Sequence, residues 1–266
     1  EYLFEYGQVN KLQVLNADVD VANDSINLIN EKQTLDNAKR DLQVVLNSTD
    51  FQDFNVDTTI SFTPMLKIEK FVEDYKLNNV SLLQIEKNLE LSVYDQKISK
   101  TGYLPTIDLV GSYGWNRNVS PESPFFPGSI QTSDRLAAGI SLNWNLFDSG
   151  QTAVRIQNAK INYENQELQK KQIQTEVNRD IQNALNTYKT RLYIYNLQEQ
   201  NVQTNIDNFN RTENQFELGQ ITSVEFRQAQ VNLQNAKTSY NLAKYDAKLA
   251  ELQLLQLTGQ LLNIEF

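Results

Sequence analysis

Shifting the chain against itself by 212 residues lays FEYGQVNKLQVLNADVDVAN, which starts at Phe4, over FELGQITSVEFRQAQVNLQN, which starts at Phe216. Identities fall at Phe4 and Phe216, Gly7 and Gly219, Gln8 and Gln220, Ala17 and Ala229, Val19 and Val231, and Asn23 and Asn235. They continue at Ala38 and Ala250 and at Leu42 and Leu254. One fixed offset held across a helix-length segment marks a duplication and not a compositional coincidence. The chain therefore carries the end of one long repeat and nearly all of the next, and the two copies are expected to close in the same way.

The second copy shows what that closing part is. Ala229, Leu233, Ala236, Tyr240, Ala243, Ala247, Ala250, Leu254 and Leu257 are separated alternately by four and three residues. This is a heptad stripe rich in small residues, suited to close antiparallel helix packing. It predicts a helix from Thr222 or Ser223 to Leu257, stopped at Gly259. The first copy keeps Ala17, Val21, Leu28, Leu35, Ala38, Leu42 and Val45 on the stripe but inserts Asp24 and Glu31, which argues against a dry core there.

Upstream of Gly219, residues 152–217 hold no proline, and Ile156, Ala159, Tyr163, Ile173, Val177, Ile181, Ala184, Tyr188, Leu192, Tyr195, Val202, Ile206 and Phe209 recur mostly at helical spacing. Some 65 helical residues rise roughly 100 Å, a length that needs lateral support from other helices. Tyr6-Gly7-Gln8 and Leu218-Gly219-Gln220 read as tight turns, with Asn10 or Thr222 capping the helix that follows. Asp148, Ser149 and Gly150 read as the entry to the long helix: Asp148 or Ser149 can cap it, and Gly150 eases the redirection. A polar and aromatic linker covers 49–63, and Pro64 starts a helix running to about Ser99. Asn47-Ser48-Thr49 matches a glycosylation acceptor and also a helix-end turn.

After Pro105 the period changes to two. Ile107, Leu109, Gly111, Tyr113 and Trp115 share one face of a strand, and Leu136, Ala138, Ile140, Leu142, Trp144 and Leu146 share one face of a second. The strands are expected over 106–116 and 136–147, each of bilayer-spanning length, around an exposed Pro-rich loop at 117–135. Tyr113, Trp115 and Trp144 are candidates for aromatic girdles at a membrane interface. Two strands alone leave their edge N–H and C=O groups unpaired in hydrocarbon, so they must join a larger barrel. A soluble hairpin packed on helices is the other reading of the pattern.

Composition narrows the function. The net charge is −9, with no His and no Cys, and mean hydropathy is −0.52. No concentrated Lys/Arg stripe offers itself to nucleic acid, and His- or thiolate-based metal and redox chemistry is excluded. There is no phosphate-binding glycine loop and no convincing nucleophile constellation, so neither an enzyme nor a bound cofactor or metal is expected.

In order, YLPTIDLVGSYGW, a loop, AAGISLNWNLFDSGQT, a long helix, FELGQITSVEFRQAQ, a returning helix and LTGQL resemble the TolC-like outer-membrane efflux proteins across essentially the whole chain. The resemblance implies a mixed α and β membrane protein. Long antiparallel coiled-coil hairpins would form a periplasmic tunnel, and strands would enter a twelve-stranded barrel shared by a homotrimer in outer-membrane lipid. Each protomer of that family supplies four strands, so one strand pair and an outward helix are expected before Glu1, and a signal peptide in the precursor.

The same resemblance assigns 1–48 and 223–258 as returning tunnel helices, 49–63 as the inter-repeat linker, and 64–103 as a helix of the second repeat. It assigns 104–147 as the membrane hairpin, 148–217 as the long tunnel helix, 218–222 as a periplasmic tip and 259–266 as a C-terminal segment. Gly7, Gln8, Leu218, Gly219, Gln220 and Thr222 fall at the tips that meet a periplasmic membrane-fusion adaptor and an inner-membrane efflux or secretion transporter. The family's paired acidic gate positions match Glu225 and Gln228, so only one carboxylate is kept; a plain first-turn glutamate favoured by the helix dipole is the other account of Glu225. The implied activity is passive export, the alternative a structural or adhesion coiled coil with a β-hairpin head.

Overall fold

The computed structural model describes residues 2–5, 7, 10–47 and 54–264. Helices α1 (Tyr2–Glu5), α2 (Lys11–Val45), α3 (Met65–Glu73), α4 (Tyr75–Asn78) and α5 (Val80–Lys100) precede strands β1 (Thr106–Ser120) and β2 (Ser129–Asn143). Helices α6 (Gln151–Glu217) and α7 (Ser223–Leu257) follow, and short 3₁₀ turns lie at Thr101–Tyr103 and Leu261–Asn263. The chain divides into two units. One holds residues 1–63 and 187–251, the other 64–186 and 252–265, so α6 and α7 each run through both.

The duplication is visible in the backbone. Helices α2 and α7 are 35 residues each, and their ends coincide under the 212-residue shift. Ahead of them, Gly7 N–H donates to Phe4 O and Gly219 N–H to Phe216 O, both at 2.9 Å, with φ of 70° and 68° at the two glycines. Behind them, Asn47 and Gly259 hold the same left-handed position, φ 52° and 72°, and donate to the matching carbonyls of Val44 and Gln256. Asn47 is thus a helix-end residue, asparagine being the commonest substitute for glycine there.

The α7 stripe is the best buried part of the molecule. Ala229, Ala236, Ala243, Ala247, Ala250 and Leu254 are all buried, while Leu233, Tyr240 and Leu257 are half-buried. The equivalent stripe of α2 is open: Val21, Leu28, Leu35 and Val45 are exposed by 56–80%. Asp24 interrupts that stripe because it has its own partner, described below. In the second unit Ile68, Ile85, Ile181, Leu254 and Leu255 are at most 2% exposed and form the core.

Three boundaries differ from the sequence reading. The helix expected over 64–103 breaks at Asp74 and again at Asn79. Asn79 is buried; its Oδ1 accepts from Leu82 N–H at 3.0 Å to start α5, and its Nδ2 donates to Leu257 O at 2.7 Å. A side chain that caps one helix and ties the end of another must leave the helical path itself.

The loop expected at 117–135 shrinks to 121–128, because 116–120 pair with 129–133 in unbroken antiparallel register. Those added rows are polar on both faces save Val119 opposite Ile130, so hydrophobic alternation could not reveal them. At its far end the second strand stops at Asn143 instead of Phe147.

Candidate functional site

Two places carry the features singled out in the sequence, one in each unit. The first is the strand pair. Its register sets Ile107 opposite Leu142, Leu109 opposite Ile140, Gly111 opposite Ala138 and Tyr113 opposite Leu136. The two apolar sets are therefore one continuous face, which a slip of one residue in either strand would have destroyed. Every residue of both strands is exposed in the chain alone. The apolar rows end at Trp115, which lies opposite Asp134, and the face turns polar at Arg117 opposite Thr132.

From Ile107 to Trp115 the strand rises about 27 Å, roughly 20 Å after a barrel-like tilt, close to the apolar band of an outer-membrane barrel. Trp144 lies just past the other end, where its indole N–H donates to Tyr103 O at 3.2 Å. Among the described residues no helix is long and apolar enough to cross a membrane.

The junction that follows is fixed by one carboxylate. Asp148 Oδ1 accepts from Gly150 N–H at 3.0 Å and Oδ2 from Thr152 N–H at 2.7 Å. Hydrogen bonds from Thr152 and Gly150 hold its carboxyl below the ordinary 3.8, so it stays charged at the positive end of α6. Ser149 does not cap; it adopts φ 56° next to Gly150 at φ 85°, and the two left-handed residues together reverse the chain from strand into helix.

The second place is the turn between α6 and α7. Leu218, Gly219 and Gln220 close α6 as a Schellman motif, with Gln220 N–H donating to Gln215 O at 2.9 Å alongside the Gly219 bond to Phe216 O. Thr222 and Glu225 then open α7 as a capping box: Glu225 N–H donates to Thr222 Oγ1, and Glu225 Oε2 accepts from Thr222 N–H at 2.8 Å and from Thr222 Oγ1 at 2.9 Å. The Thr222 backbone and side-chain hydrogen bonds lower the Glu225 pKa from 4.5, so this carboxylate is ionised at neutral pH. Gln228 donates to Asn232 Oδ1 at 2.8 Å along the helix surface. Asn10 caps α2 through Gln13 N–H at 3.0 Å, Gly7 keeps its turn conformation, and Gln8 lies outside the described residues.

Two features of this end escaped the sequence reading. Phe226 stacks on Phe216, ring centroids 4.7 Å apart and planes 5° apart, and on Phe209 at 5.8 Å, clamping α6 to α7 just below the turn. Phenylalanines spaced on both sides of Gly219 were the available signal. Arg227 forms a bidentate pair with Asp24 at 2.9 and 2.8 Å and reaches Asp20 at 3.6 Å, joining α7 to α2. The two aspartates on one face of the first copy, four residues apart, pointed to a basic partner, although not to which one.

Comparison with known proteins agrees with this geometry. Residues 72–260 match the family described as outer membrane efflux protein. The chain is 22% identical over 265 residues to outer membrane protein TolC of Escherichia coli, covering 97% of this chain and 54% of that protein. It is 26% identical over 191 residues to outer membrane efflux protein BepC of Brucella suis, covering 71% of this chain and 40% of BepC. Among solved structures, the CmeC outer membrane channel of Campylobacter jejuni superposes with a TM-score of 0.66 at 16% identity, over 98% of this chain and 55% of that one. VceC of Vibrio cholerae superposes equally well at 14% identity, over 97% of this chain and 60% of its own. These superpositions establish the fold, and the chain spans about half the length of the relatives it matches. By fold and by sequence, the chain belongs to the outer membrane efflux protein family, whose members are outer-membrane channels with a helical periplasmic part.

Proposed function

We propose that this chain supplies two strands and a set of tunnel helices to each protomer of a homotrimeric exit channel. Cargo delivered by an inner-membrane efflux or secretion transporter, joined through a periplasmic membrane-fusion adaptor, passes through it passively. The observation that carries this reading is the strand register: four consecutive cross-strand rows present one apolar face, bounded by Trp115 and Trp144, with polar and small residues on the other side save Val110. Such a pair is stable in a bilayer only as part of a closed barrel. On this reading α6 leads away from the barrel, α2 and α7 return, and the turns at Gly7 and Gly219 are the periplasmic tips. Leu218, exposed by 71% at its turn, suits adaptor contact, with Gln8, Gln220 and Thr222 beside it. Glu225, ionised and repeated three times around an axis, would give the entrance a fixed negative ring, with Gln228 adding none.

Electron-microscopic imaging of the full-length protein in mild detergent tests the reading. The expected particle is threefold, with a membrane barrel and a hollow helical extension; a soluble rod without a lumen would establish the adhesin-like alternative instead.

The tip should open when Arg227 is removed. Arg227→Ala frees α7 from Asp20 and Asp24, and with this latch lost in each of three protomers the open fraction in single-channel recording is expected to rise on the order of tenfold. The Arg227 hydrogen bonds lower the Asp24 pKa from its ordinary 3.8, so the bridge is fully present above that value and lost only as pH falls below it. The wild-type closed state should therefore be unchanged between pH 7 and pH 5; a leak appearing over that range would assign the latch to other groups.

A further inference from the structure

The register that defines the apolar face also defines the opposite one. Its rows run from Thr106 opposite Asn143 through Asp108–Ser141, Val110–Gly139, Ser112–Ala137, Gly114–Arg135 and Asn116–Ser133 to Ser120 opposite Ser129. Only two of these residues are charged. Asp108 lies near the end that joins the helices, and Arg135 lies three rows further out on this face, six residues along the ladder. Those rows separate the two groups by about 20 Å, more than two Debye lengths at physiological salt. Arg135 makes no hydrogen bond or ion pair among the described residues. Its neighbour across the ladder is Gly114, which has no side chain to cover it and nothing within 4 Å of where one would stand. The guanidinium is thus uncompensated on its own face of the strand pair, with Asp134 and Arg117 standing on the other face.

We propose that Arg135 is a specificity-determining residue of the barrel: repeated by the trimer, it forms a positive ring in the outer half of the lumen that favours anionic solutes, carboxylates and phosphates included. This inference rests on the trimeric channel reading above. The two ends of the conduit then carry opposite fixed charge, Glu225 at the tip and Arg135 in the barrel. Three unit charges about 10 Å from an axis change local ion concentrations roughly twofold at about 0.1 M salt, an effect that fades at 1 M as screening shortens. Guanidinium also binds carboxylate and phosphate in bidentate geometry, which an ammonium does not reproduce.

The test is the reversal potential of the full-length trimer in a planar bilayer under a KCl gradient. Arg135→Gln is expected to raise the potassium-to-chloride permeability ratio about twofold at about 0.1 M salt and to have little effect at 1 M. Arg117→Gln, on the lipid-facing side in the row next to Trp115, is the control and should leave the ratio unchanged. Phenylglyoxal applied to the assembled wild-type channel should reproduce the shift and have no such effect on Arg135→Lys, which removes dependence on how well the glutamine variant assembles. A conducting wild type whose ratio is indifferent to both Arg135→Gln and phenylglyoxal overturns the inference alone, as does a shift confined to Arg117→Gln. A wild type that forms no channel overturns the channel reading and this inference with it.

Discussion

A Gly259→Ala protein is expected to lose about 3 kcal/mol of stability or more, one of the largest single-residue effects in the chain. Gly259 sits at φ 72°, where an L side chain costs about 1–2 kcal/mol. A Cβ there would also run into the backbone carbonyl of Asn78, which cannot swing aside as a side-chain tip can. Overpacking of this kind adds about 1–3 kcal/mol. The strain falls where the fold has least slack. Gln260 N–H donates to Leu255 O at 2.8 Å to finish the Schellman motif, and the adjacent Asn79 holds Leu257 O while capping α5. Pushing Asn78 away would loosen both helix ends at once.

The repeat supplies the control. Asn47 occupies the same position in the first copy at φ 52°. There Asn47→Gly should be neutral or stabilising by up to about 1 kcal/mol, relief of left-handed strain being set against greater freedom of the unfolded chain. Urea unfolding of the full-length protein followed by circular dichroism reads both. A Gly259→Ala loss below about 1 kcal/mol would show that Asn78 yields and that the two helix ends are not coupled.

The sequence disclosed the repeat and the stripe because both are written in residue identity. The 212-residue offset predicts that α2 and α7 share their bounds, and the stripe from Ala229 to Leu257 faces inward as its spacing requires. What pattern could not disclose lies where a residue answers to a distant partner. Asn79 breaks a helix because Leu257 O needs a donor, and nothing near residue 79 announces that. Asn116 to Ser120 continue a strand because Ser129 to Ser133 lie opposite; with polar residues on both faces, pairing and not burial holds them there. Asp24 was legible only as an interruption until Arg227 was placed against it.

The turn between α6 and α7 shows the same division on a smaller scale. Thr222 followed by Glu225 is a recognisable capping box, so the local structure was open to reading. Its consequence was not: one oxygen of the Glu225 carboxylate is engaged by its own helix start, which keeps the group charged and fixes where that charge stands. At the strand-to-helix junction the choice between Asp148 and Ser149 was undecidable by type, since both residues cap well. The backbone decided it, because Ser149 takes up the left-handed turn and leaves Asp148 to reach Gly150 and Thr152.

The inter-repeat linker leads to the second large effect. Residues 58–63 are held along α7 by a row of side chains: Lys244 Nζ donates to Thr58 O and Lys248 Nζ to Ser61 O, both at 2.9 Å. Glu251 Oε1 accepts from Thr63 N–H at 3.2 Å, from Thr63 Oγ1 at 2.7 Å and from Lys248 Nζ at 3.1 Å. Phe62 lies against Tyr195, itself hydrogen-bonded to Tyr240. Glu251 is fully buried, and a buried carboxylate with three donors is a group whose removal strands its partners. Glu251→Ala is therefore expected to cost about 3–5 kcal/mol. Glu251→Gln, which can still accept from Thr63, should cost less, about 1–2 kcal/mol.

Tyr188 gives a second readout of the same site. It is fully buried, and burial together with the Glu251 charge pushes its phenol up to about 12. An unfolded tyrosine titrates near 10, so stability should be full below pH 10 and fall as pH rises from 10 towards 12. Removing the Glu251 charge takes away the smaller of the two causes. In Glu251→Gln the phenol should titrate lower than in the wild type, while burial still keeps it above 10. Ultraviolet titration of tyrosinate absorbance, compared between wild type, Glu251→Gln and a Tyr188→Phe reference, measures the difference directly. A Glu251→Ala protein as stable as the wild type would place the clamp in the lysine row alone. An unchanged Tyr188 titration in Glu251→Gln would mean that the carboxylate and the phenol do not share a field.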